Sequence, residues 1–301
     1  MIRTAAIAMT LALTLSGVAQ AQGVNVTHAQ GTTVIEAVPQ KVMVTDWAAF
    51  DNLTSLGVAV AGIPGSNTPP HLADKVTGDM IKIGSLQEPD IEGIAAAAPD
   101  LVIVGARSRT SYPTISGIAP TIDSSIDNAA VIDGLKANLT TYGEIFGKQD
   151  EAKALIAALD AKVAEAAAAV AGKGTGLIIV TNGNKIGVYG PESRVSWIYK
   201  SLNVPSVFDN VDDRDHGGDA ITFEYLLETN PDWLFVIDRD AGVGNEGSAK
   251  AVLDNELIHQ TKFWQNNHVI YLDPAAAYVT MNGYDAVMVL LDQVIAGFNA
   301  G

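Results

Sequence analysis

Cysteine is absent from all 301 residues, which excludes a disulfide framework and any thiolate metal site. It also excludes lipid attachment through an N-terminal cysteine. Positive charge is scarce: 18 Lys and Arg stand against 34 Asp and Glu, a net charge of −16. With no basic patch to neutralise phosphates, nucleic-acid binding is set aside. Past the N-terminus no apolar run reaches 18 residues, so the mature chain is expected to be soluble and unanchored. His28, His71, His259 and His268 are scattered without the i, i+4 pairing that holds zinc. No G-x-S-x-G element supports an α/β-hydrolase.

What is present begins with an export signal. MIRTAAIAMTLALTLSGVAQAQ carries one cation, Arg3, then an apolar run too short to span a bilayer, then Ala19-Gln20-Ala21. Cleavage after Ala21 is expected to yield an exported mature chain with a net charge of −17. A hydrophobic content of 48% and this length suit one or two folded domains.

Hydrophobic periodicity predicts an antiparallel opening over residues 24–38 and a strand at 41–46. A helix is expected at 47–56, a short strand at 58–61, and another strand at 101–104. The most helical stretch is 150–171, rich in Ala, Glu, Lys and Leu, and stopped by Gly172 and Gly174. Residues 135–146 belong to that helix or to one preceding it. Strands are then expected at 176–183, 204–209, 233–238 and 268–273, before a terminal helix at 286–300. Alternation of strand and helix favours parallel sheets. The resulting division is 1–21 signal, 22–143 N-terminal lobe, 144–172 connecting helix and 173–301 C-terminal lobe. A rigid helix between lobes predicts little closure on binding, unlike a Gly/Ser linker.

An internal repeat locates a cleft. Residues 91–107 (IEGIAAAAPDLVIVGAR) and 223–239 (FEYLLETNPDWLFVIDR) align without gaps. Each has a Glu (Glu92, Glu224), Pro-Asp seven residues later, an apolar strand, and an Arg (Arg107, Arg239) past its carboxyl end. Ligands of open α/β sheets bind at the carboxyl ends of strands, so both Arg are expected to face one inter-lobe cleft.

Together with GSLQEPDIEGIAAAAPDLVIV, SYPTISGIAPTI, HGGDAITFEYLLETNPDWLFVIDR and IYLDPAAAYVTMNG, these features give the chain a resemblance. It resembles the periplasmic substrate-binding proteins of ABC importers for iron chelates and vitamin B12, most closely the ferric catecholate branch. The resemblance implies an α/β fold of two Rossmann-like lobes bridged by one long helix, with ligand between them. It implies ligand-binding Arg107, Arg194 and Arg239, whose planar forks suit catecholate or carboxylate oxygens. It implies His216 and Tyr278 as iron ligands where the siderophore offers four donors. It also implies Glu92 and Glu224 as docking points for an inner-membrane ABC permease. On this reading the protein is a monomeric binding protein without intrinsic cofactor, and Fe(III) arrives within the siderophore. The rivals are the same fold binding another chelate, haem or a corrinoid, and a periplasmic enzyme, for which no nucleophile–base pair is visible.

Two further signals are discounted. Residues 242–247 match G-x-G-x-x-G but sit too far from their strand for a dinucleotide turn, and read as a loop beside the cleft. Asp212, Asp213 and Asp215 around Arg214 match no complete calcium loop.

Overall fold

The computed structural model describes residues 23–208, 211 and 218–301, and the elements named below are those of the described residues. The signal segment therefore lies outside them. A hairpin of β1 (Val24–His28) and β2 (Gly31–Ile35) opens the chain. Thr33 Oγ1 ties it to the first lobe by donating to the Thr121 carbonyl at 2.6 Å.

The N-terminal lobe is a parallel sheet of β3 (Val42–Val44), β4 (Gly62–Ile63), β5 (Ile81–Lys82), β6 (Leu101–Val104) and β7 (Thr121–Asp123), in the order β5-β4-β3-β6-β7. β6 is buried along its whole length, as a strand covered on both faces must be. The C-terminal lobe holds β8 (Gly176–Asn182), β9 (Lys185–Tyr189), β10 (Asp219–Ile221), β11 (Trp233–Asp238) and β12 (Val269–Tyr271), in the order β10-β9-β8-β11-β12.

Three expectations need correction. The strand anticipated at 58–61 begins at Gly62 instead, because the Val58 N–H donates back to the Leu53 carbonyl (2.9 Å) and closes the preceding helix. The second sheet is mixed: β8, β11 and β12 run parallel, whereas β8, β9 and β10 are antiparallel. The cause is the two-residue turn Gly183-Asn184, which folds β9 back on β8. With β9 holding that edge, residues 204–208 contribute a single bridge, Ser206 to Gly176, rather than a strand.

The longer helices are α1 (Trp47–Ser55), α2 (Ile91–Ala97), α3 (Val131–Phe146), α4 (Gln149–Val170), α5 (Phe223–Thr229) and α6 (Tyr284–Ala300). Gly147, left-handed at φ 66°, ends α3, so α4 is a separate helix. The two cross closely at Gly143, where a Cβ would sit 2.9 Å from that of Ala152. α4 is the strut between the sheets. It buries Ala152, Leu159, Ala166 and Val170, a narrow seam at roughly heptad spacing. Lys136–Asp160 and Lys162–Asp292, each 2.9 Å, join it to α3 and α6. No helix among the described residues is long and apolar enough to cross a membrane.

A second connection passes through α6, whose N-cap is Gly283 and supplies no side chain to its first amides. The caps come from α1 in the other lobe. Asn52 Oδ1 accepts from Tyr284 N (2.8 Å), Asp51 Oδ1 from Asp285 N (3.1 Å), and Asp51 Oδ2 from Ala286 N (3.0 Å). Asp51 is fully buried. Burial first, then the Asp285 carboxylate, push its carboxyl up to about 7; the two backbone amides and Lys75 oppose this.

Candidate functional site

The sequence repeat is a structural repeat. α2 and α5 each begin at a residue, Asp90 or Thr222, whose side chain accepts from the third helical amide. Each ends on a left-handed residue, Ala98 (φ 46°) or Asn230 (φ 42°). The duplicated Asp does the same work twice. Asp100 Oδ2 accepts from the amides of Gln40 (2.9 Å) and Lys41 (2.8 Å), just before β3. Asp232 Oδ2 accepts from the amide (2.8 Å) and hydroxyl (3.1 Å) of Thr175, just before β8. The strand ends are thereby fixed, and Arg107 and Arg239 emerge beyond the carboxyl ends of β6 and β11.

Both Arg reach the same ring. The guanidinium carbons of Arg107, Arg194 and Arg239 lie 5.6, 5.1 and 5.8 Å from the centroid of Tyr278, within cation–π range. Arg107 spans the lobes: its two terminal nitrogens donate to the carbonyls of Tyr278 (2.7 Å) and Val279 (3.2 Å). Arg239 Nε donates to the Tyr278 hydroxyl at 3.3 Å. Arg194 is buried, and lies against Met281 Sδ (3.3 Å) and over the Tyr189 ring (5.8 Å).

The backbone here is irregular. Residues 276–280 form a π-helical turn, and Met281 follows with φ 47° and ψ −68°. Such turns and such dihedrals concentrate at functional sites, at a cost of about 1–3 kcal/mol per strained residue. Ala106, immediately before Arg107, is also left-handed (φ 41°). Neither irregularity is legible in the sequence, since no glycine marks it.

The segment 278–282 divides the cleft in two. On one side is a cavity of about 490 Å³ lined by Arg107, Arg239, Tyr278, Leu86, Val243 and the amide Asn182. Asn67 Nδ2 donates across its wall to the Val243 carbonyl at 3.2 Å. On the other side is a cavity of about 390 Å³ reached by Arg107, Arg109 and Arg194. Asp46 lies at its floor, capping α1 through Ala48 N (2.8 Å), and burial pushes its carboxyl up. Burial first and the Arg194 cation second make Arg107 a weaker base than an ordinary arginine; Asp46 opposes them. Three guanidinium groups thus converge on one tyrosine ring.

Glu92 and Glu224 lie exposed in the first turns of α2 and α5, one on each lobe. The Glu224 carboxyl is held below its usual range by its own backbone amide and the Thr222 hydroxyl. His216 and the acidic run 212–215 lie outside the described residues. Gly242 and Val243 of the glycine-rich loop line the larger cavity, in keeping with a cleft wall. Sequence reasoning missed the amides of that cavity, Asn67 and Asn182, and the third cation of the smaller one, Arg109. Arg109 shares the GARSRTSY segment with Arg107, which was the available signal.

The family model described as "Periplasmic binding protein" matches residues 42–276. The petrobactin-binding protein YclQ of Bacillus subtilis is 36% identical over 262 residues, 86% of this chain and 82% of that protein. Its crystal structure superposes with a TM-score of 0.88, at 34% identity, covering 92% of this chain and 99% of that one. The ferric-anguibactin-binding protein FatB of Vibrio anguillarum is 33% identical over 285 residues, 91% of this chain and 87% of that protein. The catecholate-siderophore-binding protein VctP of Vibrio cholerae superposes with a TM-score of 0.85, at 29% identity, covering 93% of this chain and 100% of that one.

Proposed function

Because this chain belongs to the periplasmic binding protein family, we propose that it captures a ferric, catecholate-type siderophore and delivers it to an inner-membrane ABC permease. The observation that carries the reading is the convergence of Arg107, Arg194 and Arg239 on one tyrosine ring. Catecholate oxygens bound to iron are negatively charged, and guanidinium donors in a fixed planar fork match them. Arg107 is partly desolvated, so its hydrogen bonds to an anion are worth more than in water. Tyr278 offers a hard phenolic oxygen at the centre of the cluster, and His216 is assigned as its partner on iron when the chelate supplies four donors.

On this reading the protein is a binding protein rather than an enzyme, and iron is cargo. Residues 1–21 act as an export signal removed after Ala21. The mature chain divides into lobes at 22–143 and 173–301 with the connecting segment 144–172, and works as a monomer. Glu92 and Glu224 present one carboxylate per lobe to basic residues of the permease.

The test is fluorescence quenching of the mature protein. Trp47 is a reporter at the cleft, since its indole N–H donates at 3.2 Å to Ser66 Oγ, which lines the larger cavity. Ferric complexes of a four-donor bis-catecholate, a six-donor tris-catecholate and a hydroxamate are titrated against wild type, His216→Ala and Tyr278→Phe. Tight binding of the four-donor complex, weakened by both substitutions, is expected. No quenching by either catecholate refutes the substrate, and haem and corrinoids become the ligands to titrate.

A further inference from the structure

The two halves of the cleft differ in lining. The larger one, beyond its two arginines, is walled by apolar Leu86, Val243 and Val279 and by neutral amides. The smaller one adds Arg109 to Arg107 and Arg194, and Thr110, Ser124, Ser125 and Asn128 line it together with Ile126 and Met281. Its one lining carboxyl, Asp46, is buried and engaged in capping α1 through Ala48 N.

Arg109 has no other evident purpose. Its main chain is pinned, because the Arg109 carbonyl accepts from Gln30 Nε2 at 3.0 Å. Its side chain is exposed at the cavity wall, and among the described residues its guanidinium has no hydrogen bond or ion pair. On a chain of net charge −16, carboxylates are plentiful, and a surface cation ordinarily has one nearby. Two more arginines, Arg107 and Arg194, line the same cavity. The smaller cavity, about 390 Å³, lies beside the larger one of about 490 Å³, and Arg107 lines both.

We propose that the smaller cavity is a subsite for a free carboxylate arm of the ferric chelate, and that Arg109 is the residue that selects for that arm. The inference rests on the siderophore reading of the cleft. Iron and its catechol rings sit at Tyr278 and extend into the larger cavity. The carboxylate crosses the 278–282 ridge beside Arg107 and pairs with Arg109, with the hydroxyls of Ser124 and Ser125 close by.

The test uses two ferric bis-catecholates of equal length, one with a free carboxylate on its linker and the other with that group as a methyl ester. Each is titrated by fluorescence quenching against the mature wild type and Arg109→Gln. The catecholate-to-iron absorption band is recorded to verify that both complexes hold iron alike. Wild type is expected to bind the acid about tenfold more tightly than the ester, the value of one charge-assisted hydrogen bond. Arg109→Gln removes this preference and leaves ester affinity unchanged. Equal binding of acid and ester by wild type, or an equal loss of both in Arg109→Gln, overturns the subsite while leaving the siderophore reading in place. Failure of both complexes to quench wild type overturns the siderophore reading and the subsite with it.

Discussion

Asp51→Asn tests whether a buried carboxyl closes the second connection between the lobes. The folded-state pKa of Asp51 is raised to about 7, from an ordinary value of 3.8. Between those values the folded chain holds a proton that the unfolded chain has released, so stability falls as pH rises. Each unit of pH inside that window costs about 1.4 kcal/mol. Two such units lie between pH 5 and pH 8, so this group removes about 3 kcal/mol of stability over that range. The amide that replaces the carboxyl does not titrate. It carries a fixed penalty instead, because its Nδ2 turns a donor toward one of the two α6 amides from which Asp51 accepts. That penalty is about 1–3 kcal/mol. The variant should therefore be less stable than wild type at pH 5, and should gain about 3 kcal/mol relative to it by pH 8. Lys75 and Asp285, the charged groups that face Asp51, are common to both proteins. Urea denaturation followed by tryptophan fluorescence, at pH 5 and 8 and constant ionic strength, measures the difference. If the gap between variant and wild type is the same at both pH values, the reasoning is wrong.

Arg107→Lys keeps the charge but loses the fork that reaches the Tyr278 and Val279 carbonyls. Affinity for a ferric catecholate should fall roughly tenfold or more in the quenching titration, and unchanged affinity would remove Arg107 from the site. Charge reversal of Glu92 and Glu224 together should abolish siderophore-dependent uptake by cells while leaving ligand affinity as it was; normal uptake would rule out docking through them. Asp232→Ala leaves the amide and hydroxyl of Thr175 without their acceptor. It should cost about 1–3 kcal/mol, read as a lower thermal midpoint, whereas Asp240→Ala on the same lobe leaves that anchor intact.

The strong signals in the sequence were periodic or duplicated. The β6 and β11 runs, the Ala-rich α4 and the 91–107/223–239 repeat depend on local pattern, and they led to the two Rossmann-like lobes and the long helix between them. Arg107 and Arg239 were legible because duplication fixed their place at the strand ends. What escaped is set by partners distant in sequence or by too few residues to make a pattern. β4 has two residues, and nothing in a pair of apolar positions says which one begins the pairing. The β8–β9 hairpin is announced by Gly183-Asn184 between two β-rich runs, a turn signal that the surrounding parallel pattern masks. The π-turn carrying Tyr278 has no composition of its own. Asp51 and Asn52 read as ordinary polar positions of α1, and their role emerges only when α6 lies against them.

That capping has a consequence for how the chain folds. Asp51 and Ala286 are 235 residues apart, and α1 remains uncovered by α6 until nearly the whole polypeptide exists. Contacts of such separation are slow to form, because a long loop must close before they return anything. The lobe that is synthesised first is thus completed last, by the final helix of the other. Its α1 face of Asp51, Asn52 and Ser55 is the surface a nascent chain would leave open for longest.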